Sequence, residues 1–213
     1  MVKIKVSSVS NLTDARYFAA KEASWLGFSF ERDSAHYISP ASMLAIREWV
    51  DGVSFMGEFN FASAEDLQHA ANNYRLDGLQ VGMFTPSEVL EALNGQTTVF
   101  REIVVLPDMD IDALRSEISR TAHLTAASVL SFLPNRLTWH QIQSGLPLNI
   151  ADLHELCNEF SIFLDIHWDA LSLETALSQV NPYGIILRGG QEEKTGVKSF
   201  DDLEALFDIL EQA

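Results

Sequence analysis

Val2-Lys3-Ile4-Lys5-Val6-Ser7-Ser8-Val9-Ser10-Asn11-Leu12-Thr13-Asp14-Ala15 opens with an alternating run that passes directly into a helical stretch. Val2, Ile4 and Val6 alternate with Lys3 and Lys5, the period-two pattern of a half-buried strand. Residues 11–15 supply capping residues ahead of a helix expected over 16–24. This strand-then-helix unit recurs: strand-like runs open near Val2, Trp25, Val53, Leu76, Val99, Thr125, Ser161 and Tyr183, roughly every 25 residues. Helical patterns occupy 40–49, 63–72, 85–93, 111–120, 171–180 and 200–210. Thr85-Pro86 reads as a cap and first helical residue, and Ser199 as the cap of the last helix. Eight β/α units predict an α/β fold, a closed (β/α)8 TIM barrel forming a single domain over 1–213. An open doubly wound sheet would call for a G-x-G-x-x-G or P-loop turn, and neither occurs. The sixth unit is irregular: 128–133 is followed by Pro134-Asn135-Arg136 and the breakers Gly145 and Pro147.

The chain has 213 residues, 47% of them hydrophobic, and a formal charge of -16. That length suits one sizeable core. The negative field disfavours nucleic acid and anionic membrane as partners. With no apolar run of membrane-spanning length and a strand starting at once, a cytoplasmic protein is expected. Cys157 lies in a helical pattern and reads as buried filler. Trp25, Trp49 and Trp139 read as core or helix-packing residues, and Trp168, at a strand end, as a lid over a planar ligand.

Several motifs resemble the phosphoribosylanthranilate isomerase family, the tryptophan-biosynthesis barrel. They are Val2-Lys3-Ile4-Lys5-Val6 with Asn11-Leu12-Thr13-Asp14-Ala15, Gly27-Phe28-Ser29-Phe30, His36-Tyr37-Ile38-Ser39-Pro40, Gly57-Glu58-Phe59-Asn60, Leu79-Gln80-Val81, and Arg188-Gly189-Gly190-Gln191-Glu192 with Gly196 and Lys198. The resemblance implies an Amadori rearrangement: an acid protonates the furanose ring oxygen, the ring opens to an iminium, and a base removes the C2 proton. In the family the base is a cysteine ending strand one and the acid an aspartate ending strand six. An arginine meets the anthranilate carboxylate, and glycine-rich turns after strands seven and eight hold the phosphate. No cofactor is implied.

The departures fall on those positions. Ser7 stands in place of the cysteine and Ser8 in place of the following glycine; a serine hydroxyl is a weak base without a neighbour to take its proton. No aspartate or glutamate occurs between Glu117 and Asp152, so the strand-six acid is missing. Asp165, on the neighbouring strand, is the substitute acid to test. His36 replaces the arginine and loses its bidentate fork. Asp165-Ile166-His167-Trp168 replaces a small glycine turn, with His167 as a further acid or base candidate. Arg188, Gly189 and Gly190 retain an anion-binding turn, open equally to an Arg188 pair with Asp165 or Glu192, and Lys194 and Lys198 follow in the loop. Gln80 in strand four and Arg101 in strand five complete the candidate ligand-binding set with Ser8, His36, His167, Arg188, Gly189 and Gly190. Glu31, Glu58, Glu102 and Asp165 all approach carboxyl ends of strands, but no histidine-containing ligand motif accompanies them and no metal is expected.

Three functions follow as expectations. The first is a relative that has lost the isomerase pair and binds or transforms another small metabolite, phosphorylated or not. The second is a working isomerase using Ser7 and an atypical acid. The third is a non-catalytic barrel retained as a binding or interaction partner, for instance of other tryptophan-pathway proteins; as partners, a homodimer or a tryptophan-pathway protein is expected beside the small-molecule ligand.

Overall fold

The alternating runs become parallel strands that close on themselves. The computed structural model describes residues 2–189, 192–194, 197–198 and 200–212. In it β1 (Lys3–Ser7), β2 (Trp25–Ser29), β3 (Ser54–Phe59), β4 (Gly78–Val81), β5 (Thr98–Val104), β6 (Ala127–Ser131), β7 (Ile162–Asp165) and β8 (Gly184–Arg188) pair in chain order, and β8 returns to β1. The closed barrel is the expected architecture. Helices α1 (Leu12–Ala20), α2 (Pro40–Arg47), α3 (Ala64–Asn73), α4 (Ser87–Leu93), α5 (Ile111–Ser119), α6 (Trp139–Gln143), α7 (Ile150–Glu159) and α8 (Ala170–Val180) connect the strands. After β8, the short antiparallel pair β9 (Glu192–Lys194) and β10 (Val197–Lys198) precedes α9 (Asp201–Leu210).

Local chemistry sets most helix starts. Asn11, Ser39, Ser63, Asp110, Asn149 and Asp169 each accept a backbone N–H from the first turn, satisfying a donor the helix leaves over. Asn11 is the cap itself, so α1 begins at Leu12, four residues before the expected start. Pro86, not Thr85, precedes α4, and no side chain caps it. The irregular sixth unit resolves into two helices, α6 held by a Thr138–Gln141 capping box and α7 capped by Asn149. Ser199 lies outside the described residues.

Because side chains alternate along a strand, every second residue faces the barrel interior, and the register decides which share a level. Stepping across the pairs places Lys5, Met56, Phe100 and Phe163 on one level, all from odd-numbered strands. Gly27, Gln80, Val129 and Ile186, from even-numbered strands, form the next. Above them lie Ser7, Glu58, Glu102 and Asp165, then Ser29, Ser131 and Arg188 at the mouth. The lower interior is an apolar plug of Met56, Phe100, Ala127, Val129, Phe163 and Ile186, with Trp25 packed against it. Gly184 makes room for it, since a Cβ there would lie 2.2 Å from the Phe163 ring. The larger apolar core fills the space between the outer face of the barrel and the helices, where Trp139 and Cys157 are buried. Burial pushes the Cys157 thiol up to about 12, as suits filler rather than a nucleophile. Trp49 departs from expectation: it is 71% exposed at the end of the α2 segment.

Candidate functional site at the carboxyl end of the barrel

The upper levels gather the polar side chains. Lys5 is wholly buried and extends from its apolar level to donate to Glu58 Oε1 at 2.5 Å and Ser7 Oγ at 2.6 Å. Gly27 permits this, because a Cβ there would stand 2.2 Å from Glu58 Oε1 and 2.9 Å from Lys5 Nζ. Ser8 has a φ of 60°, in the left-handed region that favours glycine, and its backbone N–H donates to Glu58 Oε2 at 3.1 Å. Burial alone would raise the Glu58 carboxyl. The Lys5 charge and the hydrogen bonds from Lys5, Ser7 and Ser8 outweigh it and hold the group below its usual range.

Across the mouth, Arg188 grips Asp165 with both terminal nitrogens, Nη2 reaching Oδ2 at 2.9 Å. The Ser131 hydroxyl donates to the same Oδ2 at 2.9 Å. Asp165 is thus an acceptor on both oxygens, poorly suited to give a proton to a substrate. Glu102 is the other kind of carboxyl: burial first, and then the Asp165 charge, raise it, against the opposing influence of Ser131 and Lys5. One Ser131 proton cannot serve two carboxylates. Glu58 and Glu102 therefore sit on one level with opposite tendencies, one held ionised and one drawn toward the neutral form.

The barrel brings together Ser7, Ser8, Gln80, Asp165 and Arg188 from the expected set. Lys5 and Ser131 are additions. Both stand in the inward phase of their strands, Lys5 with Ser7 and Ser131 with Ala127 and Val129, which is the signal that could have found them. Gln80 faces inward, and its Oε1 is buried with no hydrogen-bond partner among the described residues. Arg101 must be corrected. It occupies the outward phase of β5, wholly buried behind the barrel wall, with its guanidinium on Thr121 Oγ1, the Met83 and Glu117 carbonyls and Glu117 Oε1.

His36 and His167 are exposed on the loops above, outside the charged cluster. Trp168 is buried, donating to the Ile186 carbonyl at 3.1 Å and packing near Trp139, so it is a wall residue rather than a lid. Gly189 closely faces the Asp14 carboxylate, whose Oδ2 would lie 2.6 Å from an added Cβ. Gly190 lies outside the described residues, and nothing is described of the side chains of Lys194 and Lys198. Glu31 does not join the other carboxylates; it accepts the Asn60 backbone N–H at 2.6 Å. Among the described residues no group of three His, Cys, Asp or Glu side chains is placed to hold a metal ion, and no helix is long and apolar enough to cross a membrane. Clefts of about 450 and 640 Å³ open at the opposite, amino end of the barrel, and neither includes a residue of the charged cluster.

No family model matches the chain. Over nearly its whole length it is similar to N-(5'-phosphoribosyl)anthranilate isomerases: 29% identical to that of Chlorobium phaeobacteroides over 93% of this chain and 92% of that enzyme, and 22% identical to that of Trichormus variabilis over 98% of both. Among solved structures, phosphoribosylanthranilate isomerase from Thermus thermophilus superposes with a TM-score of 0.77 at 24% identity, covering 99% of both chains. The enzyme from Thermotoga maritima, described as dimeric in one structure, gives 0.77 at 20% identity over 100% of both. The resemblance read from the motifs thus extends along the chain, and the solved structures share its fold.

Proposed function

We propose that this chain is a phosphoribosylanthranilate isomerase-like barrel that has lost the acid–base pair of that isomerisation and binds or transforms a different small metabolite at its carboxyl-end mouth. One observation carries the reading: strands β1 and β6 end in Ser7 and Ser131, where the resemblance puts base and acid, and both hydroxyls are committed to neighbours. Fold alone does not carry activity, and these are the positions at which proton transfer would occur.

The test is turnover of phosphoribosylanthranilate at high protein concentration, followed by loss of anthranilate-type fluorescence, with Ser7→Ala and Asp165→Asn alongside. No turnover above the uncatalysed rate is expected. Turnover abolished by either substitution overturns the reading. A second reading rests on Glu102, whose carboxyl is drawn toward the protonated state one strand from Ser131 and could serve as an atypical acid. Turnover that survives Asp165→Asn and is lost in Glu102→Gln would establish it.

A further inference from the structure

The two halves of the mouth differ in what they leave unmet. Around β7, β8, β1 and β3 the charges close on themselves: Lys5 with Glu58, and Arg188 with Asp165. Among the described residues, both cations of the cluster are paired there. The inward groups of β4 and β5, Gln80 and Glu102, form no such ion pair among the described residues. Gln80 Oε1 is a buried acceptor without a donor, and Glu102 forms no ion pair among the described residues. Buried polar groups in native proteins are nearly always satisfied, so a donor is missing on this side.

The loops leaving the same strands are apolar where they meet solvent. Phe61 follows β3 and is 78% exposed, Phe84 follows β4 and is 72% exposed, and Leu106 follows β5 and is also exposed. Exposed large apolar side chains on successive loops of a barrel's carboxyl face mark a surface that an apolar body can cover. On the opposite side Arg188 is already gripped by Asp165.

We propose that the mouth binds a small organic cation, an ammonium or guanidinium on an apolar or aromatic body, with its N–H donors on Gln80 and Glu102 and its body against Phe61, Phe84 and Leu106. This names the ligand class for the site proposed above and rests on that reading. The cation supplies the donor that Gln80 Oε1 lacks and the charge that Glu102 lacks, and the rim residues face its body. Glu102 is surrounded by Glu58, Asp165, Lys5 and Arg188, with the two cations already paired.

The experiment is calorimetric titration of the full chain with phenethylamine, phenethyl alcohol, phenyl phosphate and inorganic phosphate. The amine is expected to bind saturably, and the neutral alcohol to bind about tenfold more weakly. Glu102→Gln should weaken the amine by about tenfold and leave the alcohol unchanged, and Phe84→Ser should weaken amine and alcohol alike. The inference is overturned if the amine shows no saturable binding up to about 10 mM, or if Glu102→Gln leaves its affinity unchanged. It is also overturned if phenyl phosphate binds better than the amine and loses that binding in Arg188→Ala. None of these outcomes bears on phosphoribosylanthranilate turnover, which tests the underlying reading separately.

Discussion

Lys5 and Arg101 are both wholly buried cations on barrel strands, each against a glutamate, yet they lie on opposite faces of the barrel wall. Lys5 is in the inward phase of β1 and organises the mouth through Glu58, Ser7 and, indirectly, Ser8. Arg101 is in the outward phase of β5 and ties the wall to the loop at Met83 and to Glu117 and Thr121 near the end of α5. One position along a strand separates a group that shapes a ligand site from one that only holds the scaffold.

The contrast can be broken experimentally. Arg101→Ala should give the largest effect, about 3–5 kcal/mol of lost stability in urea unfolding, because Glu117 and two carbonyls lose their buried partner. Amine binding in the surviving folded protein should be unchanged; a matching loss of affinity would show that the wall and the mouth are not separable. Lys5→Met should cost about 3 kcal/mol by leaving Glu58 buried without a cation, and Glu58→Gln added to it should recover part of that loss. An additive double variant would mean that the pair carries no coupling.

The smallest effect concerns pH. The Glu102 carboxyl is raised in the folded state, so its protonated form favours folding, and that advantage is fully present below the unfolded value near 4.3 and lost as pH rises through the folded value. Glu102→Gln should therefore raise the melting temperature by a few degrees at about pH 8 and leave it level with the parent at about pH 4. Glu58 carries the opposite sign: its lowered carboxyl stabilises the fold above the unfolded value, and that contribution fades in acid as pH falls through the folded value. A Glu102→Gln variant that is less stable at pH 8 would place that carboxylate among the stabilising charges with Glu58.

The strand starts were legible because period-two alternation and turn residues are local. Val2, Trp25 and Tyr183 fall within a residue of where β1, β2 and β8 begin. The sixth unit was not, because α6 is a short helix whose Thr138–Gln141 box carries no apolar period long enough to stand out. Neither Trp49 nor Trp168 takes the role expected of it. Residue type indicates a wish for burial, but the turn after α2 leaves Trp49 in solvent while the path of the chain after β7 folds Trp168 onto Trp139 and the Ile186 carbonyl. Arg101 is not a ligand-binding residue: it shares the outward phase of β5 with Ile103, which lies in the core behind the wall.

By itself the sequence determined the eight-unit barrel, the replacement of the strand-one cysteine by Ser7 and the absence of any acid between Glu117 and Asp152, since these depend on residue identity and near-neighbour spacing. Only the tertiary structure decided that Arg188 is bound to Asp165, that Lys5 and Glu58 close on Ser7 through the space left by Gly27, and that Gln80 Oε1 is left without a partner among the described residues. The physical reason is the barrel's register and stagger. They bring residues far apart in the chain to one level, and whether two charges meet there depends on distances that alternation within a single strand does not contain.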